Sequence, residues 1–202
     1  MKPHWRSGAL LALCSVAASA APSQTETAVF AGGCFWCLEA RFEAQSGVIS
    51  VDPGYTGGTL ANPSYRDVTA QTTGHYEAVQ VRFDPARVSY GRLLVLYWLG
   101  IDPTDPDGQF CERGASKRAA VFALDATQAA KAETVRARAQ AVLNARVVTP
   151  ILHAGTFWPA EEYHRDYARK NPLRLEFYRR SCGREAGLRA IWGARPMLAS
   201  DP

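Results

Sequence analysis

The chain has 202 residues, of which 47% are hydrophobic and 21% charged, and it carries a formal net charge of +4. This length and apolar content suit one domain with its own hydrophobic core. No basic run interleaves with aromatic residues, so the composition argues against a nucleic-acid-binding protein. No repeat or low-complexity segment divides the chain.

The first twenty residues have the pattern of a secretory signal peptide. Lys2 and Arg6 supply a positive start, residues 9–17 are apolar, and Ala18-Ser19-Ala20 resembles a cleavage site. The apolar run is too short to span a bilayer. Cys14 leaves open a lipoprotein, although the residue before it is not the small one such sites usually have.

We therefore predict a leader at residues 1–20 and a single domain at residues 21–202. The protein would be exported to the periplasm and would not be bound to a membrane. Removing two cations and no acid lowers its net charge from +4 to +2. Four cysteines remain, and an even number in an oxidising compartment is consistent with disulfides.

A C-x-x-C motif stands at a predicted strand-to-helix turn. A short apolar strand at residues 28–31 meets Gly32-Gly33, and a helical pattern then begins at Cys34 and ends at Gly47. A helix N-terminus favours a thiolate, so we expect a lowered pKa at Cys34. Cys37 lies one helical turn further on, close enough to form a disulfide with Cys34.

The remaining pattern predicts strands and helices that alternate loosely. A proline- and glycine-rich loop follows the second strand, and the stretch from residue 171 onwards looks irregular. We predict an α+β fold in which helices pack against a mixed sheet. The predicted strands are residues 48–51, 75–83, 119–124 and 147–152. The predicted helices are residues 89–99 and 127–143, with another starting near Pro159.

Glu77 is the anomaly in the predicted strand at 75–83. It shares a face with Val79, Val81 and Phe83, which are apolar. A carboxylate on an inward face has a raised pKa unless it is paired. Periodicity alone leaves two interpretations open, a solvated carboxylate at a frayed strand end or a buried functional acid.

The C-x-x-C motif by itself allows several functions. Thiol redox chemistry needs an activated thiol and a second thiol to resolve the oxidised product. A zinc site needs two more ligands, and Cys111, Cys182 and His164 form no second motif with the usual spacing. A thioredoxin-like disulfide oxidoreductase and a binding module braced by two disulfides remain as alternatives.

Several longer motifs narrow this choice, because together they resemble the A-type peptide methionine sulfoxide reductases. The resemblance runs in order over residues 27–183. It rests on these segments: Gly32-Gly33-Cys34-Phe35-Trp36-Cys37, Gly54-Tyr55-Thr56-Gly57-Gly58, Asn62-Pro63-Ser64-Tyr65, Thr73-Gly74-His75-Tyr76-Glu77, Gly108-Gln109-Phe110 and Phe157-Trp158-Pro159-Ala160-Glu161-Glu162-Tyr163-His164.

The resemblance implies reduction of the S-epimer of methionine sulfoxide, free or in proteins, without a metal or organic cofactor. A thioredoxin-like dithiol would be the electron donor. The implied fold is a two-layer α+β sandwich with a ferredoxin-like core, and a monomer is the default assembly.

The resemblance also implies a role for each matching residue. Cys34 is the nucleophile, Phe35 and Trp36 form a pocket for the substrate methyl group, Glu77 donates a proton to the sulfoxide oxygen, and Tyr65 hydrogen-bonds that oxygen. Attack would leave a sulfenic acid on Cys34, which Cys37 resolves as a disulfide. A sulfoxide oxygen is a poor leaving group until it is protonated, so these roles favour the buried interpretation of Glu77.

Two positions near the site depart from the family pattern. Glu112 stands where the family usually has Asp, and Lys117 stands where it usually has Tyr. Lys117 is not equivalent to a tyrosine, and near Glu77 its charge would lower the pKa of the acid. We expect activity to persist but to be weaker than in a tyrosine-bearing relative.

The other two cysteines have two open interpretations. Cys111 and Cys182 form either a structural disulfide that fixes the tail to the active-site loop, or a path that relays oxidation away from Cys37. His75, His153 and His164 are interpreted as structural, and His164 with Glu161 is expected to brace the pocket.

Overall fold

The computed structural model describes residues 24–193. The predicted leader at residues 1–20 and the predicted Cys14 modification lie outside this range. Within it, no helix has both the length and the apolar character needed to cross a bilayer.

Eight strands and seven α-helices are found in the described residues, in an order close to that predicted. The strands are β1 (Glu26–Gly32), β2 (Val48–Thr56), β3 (Tyr76–Phe83), β4 (Gly108–Gln109), β5 (Glu112–Arg113), β6 (Ala119–Ala123), β7 (Ile151–His153) and β8 (Trp158–Pro159). The helices are α1 (Phe35–Glu43), α2 (Tyr65–Thr69), α3 (Tyr90–Trp98), α4 (Ala126–Leu143), α5 (Tyr167–Lys170), α6 (Pro172–Ser181) and α7 (Arg184–Trp192).

Six strands form one mixed sheet in the order β7-β6-β1-β3-β2-β8. The β6–β7 pair is parallel and the other pairs are antiparallel. This sheet, with helices between its strands, confirms the predicted α+β class. β4 and β5 form a separate two-stranded ribbon.

The strand register brings the chemistry-bearing residues to one end of the sheet. Ala31 near the end of β1 pairs with Ala78 near the start of β3. Tyr55 near the end of β2 pairs with Glu77. Because neighbouring strands run in opposite directions, the turn that carries Cys34 and the start of β3 lie at the same end of the sheet.

The core is built from the inward residues of the sheet and the apolar faces of α1 and α3. Phe30 on β1 stacks on Phe42 of α1 with ring centroids 5.1 Å apart, and on Tyr97 of α3 at 5.0 Å. Local caps set the helix starts, since the Ser89 and Asp125 side chains accept the N–H groups of Arg92 and Gln128. The stacking of Phe30 on Phe42 holds α1, and hence the C-x-x-C turn, against the sheet.

The prediction of an irregular C-terminal tail is wrong for the described residues. Residues 172–192 are mostly helical, forming α6 and α7. Pro172 stands in the first turn of α6, where its missing N–H costs nothing, and Glu176 pairs with Arg180 one turn later. The aromatic content of this stretch hides the helical period, because Tyr178 packs against Trp36 rather than against its own neighbours.

The prediction of a helix starting near Pro159 is also wrong, because this segment forms a strand followed by a short 3-10 turn. Trp158–Pro159 pairs with the end of β2 as strand β8, and only Glu162–His164 makes a short 3-10 turn. Pro159 can occupy an edge strand because its missing donor is not needed there. The predicted strand at 147–152 is shorter and later, at Ile151–His153.

Candidate active site

Cys34 is the N-cap residue of α1, as the sequence pattern predicts. Its backbone N–H donates to Oε2 of Glu112 at 2.7 Å. Gly33 precedes it with φ of 77°, and a Cβ there would lie 2.8 Å from Cβ of Gln109 and 2.9 Å from Oε2 of Glu112. Glycine at this position therefore permits the close approach of Glu112 to the Cys34 backbone.

The expectation of a lowered pKa at Cys34 is wrong. Burial raises the pKa of the Cys34 thiol well above its ordinary value, and the hydrogen bond with Cys37 adds to this effect. Only 2% of Cys34 is exposed, so the loss of hydration is the largest effect on its pKa. The positive charge of Lys117 acts in the opposite direction.

Lys117 bridges two buried carboxylates beside this thiol. Its Nζ lies 2.6 Å from Oε1 of Glu77 and 3.3 Å from Oε1 of Glu112. Glu77 is 1% exposed and Glu112 is 8% exposed. The ammonium therefore connects the residue at the start of β3 to the carboxylate that holds Cys34 in place.

Glu77 has a raised pKa despite its lysine partner. Burial raises the pKa of Glu77 to about 7, while the charge of Lys117 lowers it. The expected direction of the lysine effect is confirmed, but burial is the larger effect. Burial lowers the pKa of Lys117, yet the charges of Glu77 and Glu112 raise it by more, so its amine stays protonated.

An aromatic wall covers the other side of the site. The Phe35 ring lies 6.0 Å from Trp36 and 6.2 Å from Tyr65, measured between centroids. Trp36 donates its indole N–H to Nδ1 of His164 at 3.1 Å. Burial lowers the pKa of His164 to about 4, so its ring is neutral at pH 7 and can accept that bond.

Glu161 holds two tyrosines around the same wall. Its carboxylate accepts the backbone N–H of Tyr65 at 2.8 Å and the hydroxyl of Tyr55 at 2.8 Å. His164 lies beside it, with Nε2 3.8 Å from Oε2. The bracing expected of Glu161 and His164 is present, since each fixes an aromatic residue of the pocket.

Cys34, the two carboxylates, Lys117 and the rings of Phe35, Trp36 and Tyr65 line one cavity of about 280 Å³, and Glu161 and His164 support its wall from behind. All the residues predicted for the site border it except Cys37, Cys111 and Cys182, and three more that were missed complete it. The missed residues are Tyr167, Arg174 and Tyr178. Arg174 and Tyr178 are four residues apart on α6, a helical spacing that was available in the sequence once that stretch is taken as a helix.

The missed residues are held by contacts that the sequence does not display. Tyr167 stacks on Trp36 with centroids 3.8 Å apart. Glu39 on α1 is fully buried and accepts the N–H groups of Asp166 at 2.7 Å and Tyr167 at 3.0 Å. Burial raises the pKa of Glu39 to about 7.

The four described cysteines divide into two pairs. Cys111 and Cys182 form a disulfide, whereas Cys34 and Cys37 are free thiols within hydrogen-bonding contact. Within residues 24–193, no group of three or more His, Cys, Asp or Glu side chains is arranged to hold a metal ion.

A buried thiol, a second thiol one turn away and a buried acid therefore meet beside an aromatic cavity. A family model described as peptide methionine sulfoxide reductase matches residues 26–196. The chain belongs to the peptide methionine sulfoxide reductase family. It is an oxidoreductase of that class.

Curated relatives and solved structures agree with this membership. The peptide methionine sulfoxide reductase MsrA 2 of Caulobacter vibrioides is 51% identical over 185 residues, covering 92% of this reductase and 94% of the relative. Methionine sulfoxide reductase A of Corynebacterium diphtheriae is 31% identical, with a TM-score of 0.67 over 76% of this chain and 77% of that one.

A more distant likeness supports the fold alone. Reduced Mxr1 from Saccharomyces cerevisiae has a TM-score of 0.71 at 24% identity, covering 77% of this reductase and 90% of Mxr1. Mxr1 is also known in complex with Trx2, with a TM-score of 0.52 at 18% identity, over 72% of this chain and 88% of Mxr1. Family membership sets aside both the thioredoxin-like oxidoreductase and the binding-module interpretation.

Proposed function

We propose that this reductase converts the S-epimer of methionine sulfoxide, free or within proteins, to methionine by attack of Cys34 on the substrate sulfur. The observation that carries the proposal is that Cys34 and Glu77 line the same cavity. Burial raises the pKa of Glu77 to about 7. A carboxyl with this pKa is still partly protonated at neutral pH and can serve as a general acid.

The proposed reaction uses both groups together. The Cys34 sulfur forms a bond to the substrate sulfur while Glu77 supplies a proton to the sulfoxide oxygen. The oxygen then moves to the Cys34 sulfur: its bond to the substrate sulfur and the transient sulfur–sulfur bond break, methionine leaves, and Cys34 keeps the hydroxyl as a sulfenic acid. The substrate sulfur is reduced by two electrons and the Cys34 sulfur is oxidised by two.

Cys37 then resolves the oxidised thiol. Its sulfur attacks the sulfenic acid, water leaves, and a Cys34–Cys37 disulfide forms. The existing hydrogen-bonding contact between the two thiols supports this step, because little movement is needed. An external dithiol would reduce this disulfide and return both cysteines to thiols.

The cavity walls suit the two ends of a methyl sulfoxide. Phe35 and Trp36 offer an apolar surface to the methyl group, and the Tyr65 hydroxyl would donate a hydrogen bond to the oxygen. Glu112 positions Cys34 through the backbone N–H, and Lys117 holds both carboxylates. We propose that replacing the tyrosine by Lys117 makes this reductase slower than tyrosine-bearing relatives.

The proposed reductant is a thioredoxin-like protein, with no metal or organic cofactor. Mxr1, whose fold this chain shares, is known in complex with Trx2, which supports a donor of this type. We propose that the reductase works as a monomer, and that it acts in the periplasm as a single domain (21–202) after loss of the leader (1–20). The strand order β6-β1-β3-β2 supports a ferredoxin-like, two-layer core.

A single-turnover assay on separated epimers tests the proposal. Reduced enzyme without external thiol should convert about one equivalent of the S-epimer and none of the R-epimer. Cys34→Ser should form no methionine. Cys37→Ser should form one equivalent of methionine, and adding thioredoxin should not allow further turnovers. Conversion of the R-epimer, or methionine formation by Cys34→Ser, would contradict the assignment.

A further inference from the structure

A second cavity borders the other cysteine of the C-x-x-C motif. It has a volume of about 340 Å³ and lies between α1, the end of α3, α6 and α7. Cys37 lines it, whereas Cys34 lines the substrate cavity, and the two cavities share no lining residue. The proposed substrate site does not use this space.

Three guanidinium groups face the second cavity against one carboxylate. They belong to Arg41, Arg179 and Arg184, and the carboxylate belongs to Glu185, which pairs with Arg179. The positive groups lower the pKa of Arg41, after the larger effect of burial. Positive charge therefore exceeds negative charge around the cavity, as in a site for an anion.

The arginine deepest in this wall has unused hydrogen-bonding capacity. Arg184 is 4% exposed, and its Nη2 donates to the backbone oxygens of Gly32 at 3.0 Å and Gly100 at 2.8 Å. Its Nη1 is buried without a hydrogen-bond acceptor, and the nearest carboxylate oxygen, Oε2 of Glu112, is 3.9 Å away. Glu112 compensates this charge only from 3.9 Å, so the wall beside Cys37 keeps an excess of positive charge that an anion in the cavity would balance.

We propose that this cavity binds a small acidic thiol, which reduces the oxidised enzyme by attacking Cys37. The carboxylate of the thiol would meet the guanidinium groups while its sulfur reaches Sγ of Cys37. This inference rests on the proposed Cys34–Cys37 disulfide. It adds a route of recycling besides the thioredoxin-like protein.

The proposed exchange balances in two steps. The thiolate of the reductant bonds to Sγ of Cys37 as the Cys34–Cys37 bond breaks, and the electron pair leaves on Cys34, which then takes a proton from solvent. A second reductant thiolate attacks the sulfur of the first, releasing a small disulfide and the Cys37 thiolate. Two thiols are oxidised and one protein disulfide is reduced.

The test measures charge selectivity in thiol exchange. The Cys34–Cys37 disulfide is formed with diamide, and its reduction by mercaptosuccinate, mercaptoethanol or cysteamine is followed by alkylation and peptide mapping. Each rate is divided by the thiolate fraction and by the rate on a small linear disulfide. We expect a preference of about tenfold for mercaptosuccinate over mercaptoethanol, the size of one charge-assisted hydrogen bond.

Variants and a competitor locate the selectivity. Arg179→Gln should lower the mercaptosuccinate-to-mercaptoethanol ratio at least fivefold. Arg180→Gln, which removes the same charge from an exposed position one residue away, should leave the ratio unchanged. Succinate, which has the charge but no thiol, should slow reduction of the wild-type enzyme by mercaptosuccinate.

Two results would overturn the inference. One is a mercaptosuccinate-to-mercaptoethanol rate ratio on the wild-type enzyme that is no greater than the ratio on the small disulfide. This result does not depend on the folding of any variant. The other is equal slowing of all three thiols in Arg179→Gln, which would mean that the arginines tune Cys37 and bind no anion. Diamide forms the Cys34–Cys37 disulfide without any sulfoxide. The test of this inference can therefore succeed or fail independently of the epimer assay that tests the proposed function.

Discussion

At the residue scale, Lys117 determines how the acid of the site behaves. Its ammonium lies between Glu77 and Glu112, where it lowers the pKa of Glu77. A tyrosine in this position would donate a hydrogen bond without a positive charge. The chain therefore lacks a second hydroxyl that could donate a hydrogen bond to the substrate oxygen. In its place the charge of Lys117 acts to lower the pKa of both Cys34 and Glu77.

Removing the ammonium should shift the pH dependence of turnover. In Lys117→Met, Glu77 loses its cationic partner, so its pKa should rise from about 7 by about one pH unit or more. Since Glu77 is proposed to act as a general acid and would have to be protonated, the alkaline fall in the single-turnover rate should move to higher pH. The measurement is the pH profile of methionine formation from the S-epimer.

The matched control for this profile is Lys131→Met, which removes an exposed lysine of α4. Its alkaline midpoint should coincide with that of the wild type. A Lys117→Met midpoint that stays at the wild-type value would show that Glu77 is not the acid whose titration limits the rate.

Gly33 is the second residue whose substitution has a clear physical cost. An added Cβ would clash with Gln109 and Glu112, and the φ of 77° disfavours any side chain. Gly33→Ala should lower the free energy of unfolding by about 1–3 kcal/mol. Urea denaturation measures this loss.

Gly155→Ala supplies the comparison for Gly33→Ala, because a Cβ at Gly155 meets no atom within 4 Å. Its stability should stay within about 0.5 kcal/mol of the wild type. Equal stabilities for the two variants would mean that Glu112 can move away from the Cys34 backbone at little cost.

At the scale of elements, helix α6 is held at the pocket by contacts that are distant in sequence. Cys182 is its C-cap residue and is joined to Cys111, which follows β4. Tyr178 lies one turn before this bond and lines the substrate cavity. The disulfide thus fixes one wall of the pocket to the β4–β5 ribbon, which supplies Glu112.

Removing this cross-link should destabilise the protein without stopping the chemistry. The double variant Cys111→Ser/Cys182→Ser should lose about 2–4 kcal/mol of unfolding free energy, since a long loop is no longer closed in the unfolded chain. It should still form one equivalent of methionine per enzyme. Denaturation and the single-turnover assay measure the two effects.

Peptide mapping separates this structural role from the relay that the sequence left open. After one equivalent of sulfoxide, the wild-type enzyme should contain the Cys111–Cys182 bond unchanged and a new Cys34–Cys37 bond. A mixed bond from Cys37 to Cys182 would favour the relay.

The elements that sequence reasoning located well are those whose periodicity reflects burial. The strand holding Glu77 and the helix beginning after Cys34 were predicted because their apolar residues repeat at strand and helix spacing. Tyr167 and Tyr178 were missed because their placement depends on Trp36, Glu39 and a disulfide, all far away in the chain. The lowered pKa expected at Cys34 failed for the same reason, since burial is set by the whole fold.

At the scale of the whole molecule, two buried acids connect stability to pH. Burial raises the pKa values of Glu39 and Glu77 to about 7, from an ordinary value of 4.5. Between these pH values the folded protein holds protons that the unfolded chain has released. The free energy of unfolding should therefore fall by a few kcal/mol as the pH rises from about 5 to 7.5.

Urea denaturation at several pH values measures this slope, and Glu77→Gln should make it shallower because one of the two groups no longer titrates. Glu161, whose pKa is lowered, stays ionised across this range. The lowered pKa of His164 acts in the opposite direction and offsets part of the fall below about pH 6.5, but two acids outweigh one histidine. Constant stability from pH 5 to 7.5, or an unchanged slope in Glu77→Gln, would contradict this account.

The separation of the two cysteines between two cavities has a kinetic consequence. Cys34 lines the substrate cavity and Cys37 lines the other, so an occupant of one leaves the other free. In a ping-pong cycle at a single shared site, the first product competes with the second reactant. Here methionine should instead inhibit competitively against the sulfoxide and noncompetitively against a thiol that enters beside Cys37. The molecule would then work as a two-site ping-pong enzyme, in which oxidising equivalents arrive and depart through different openings.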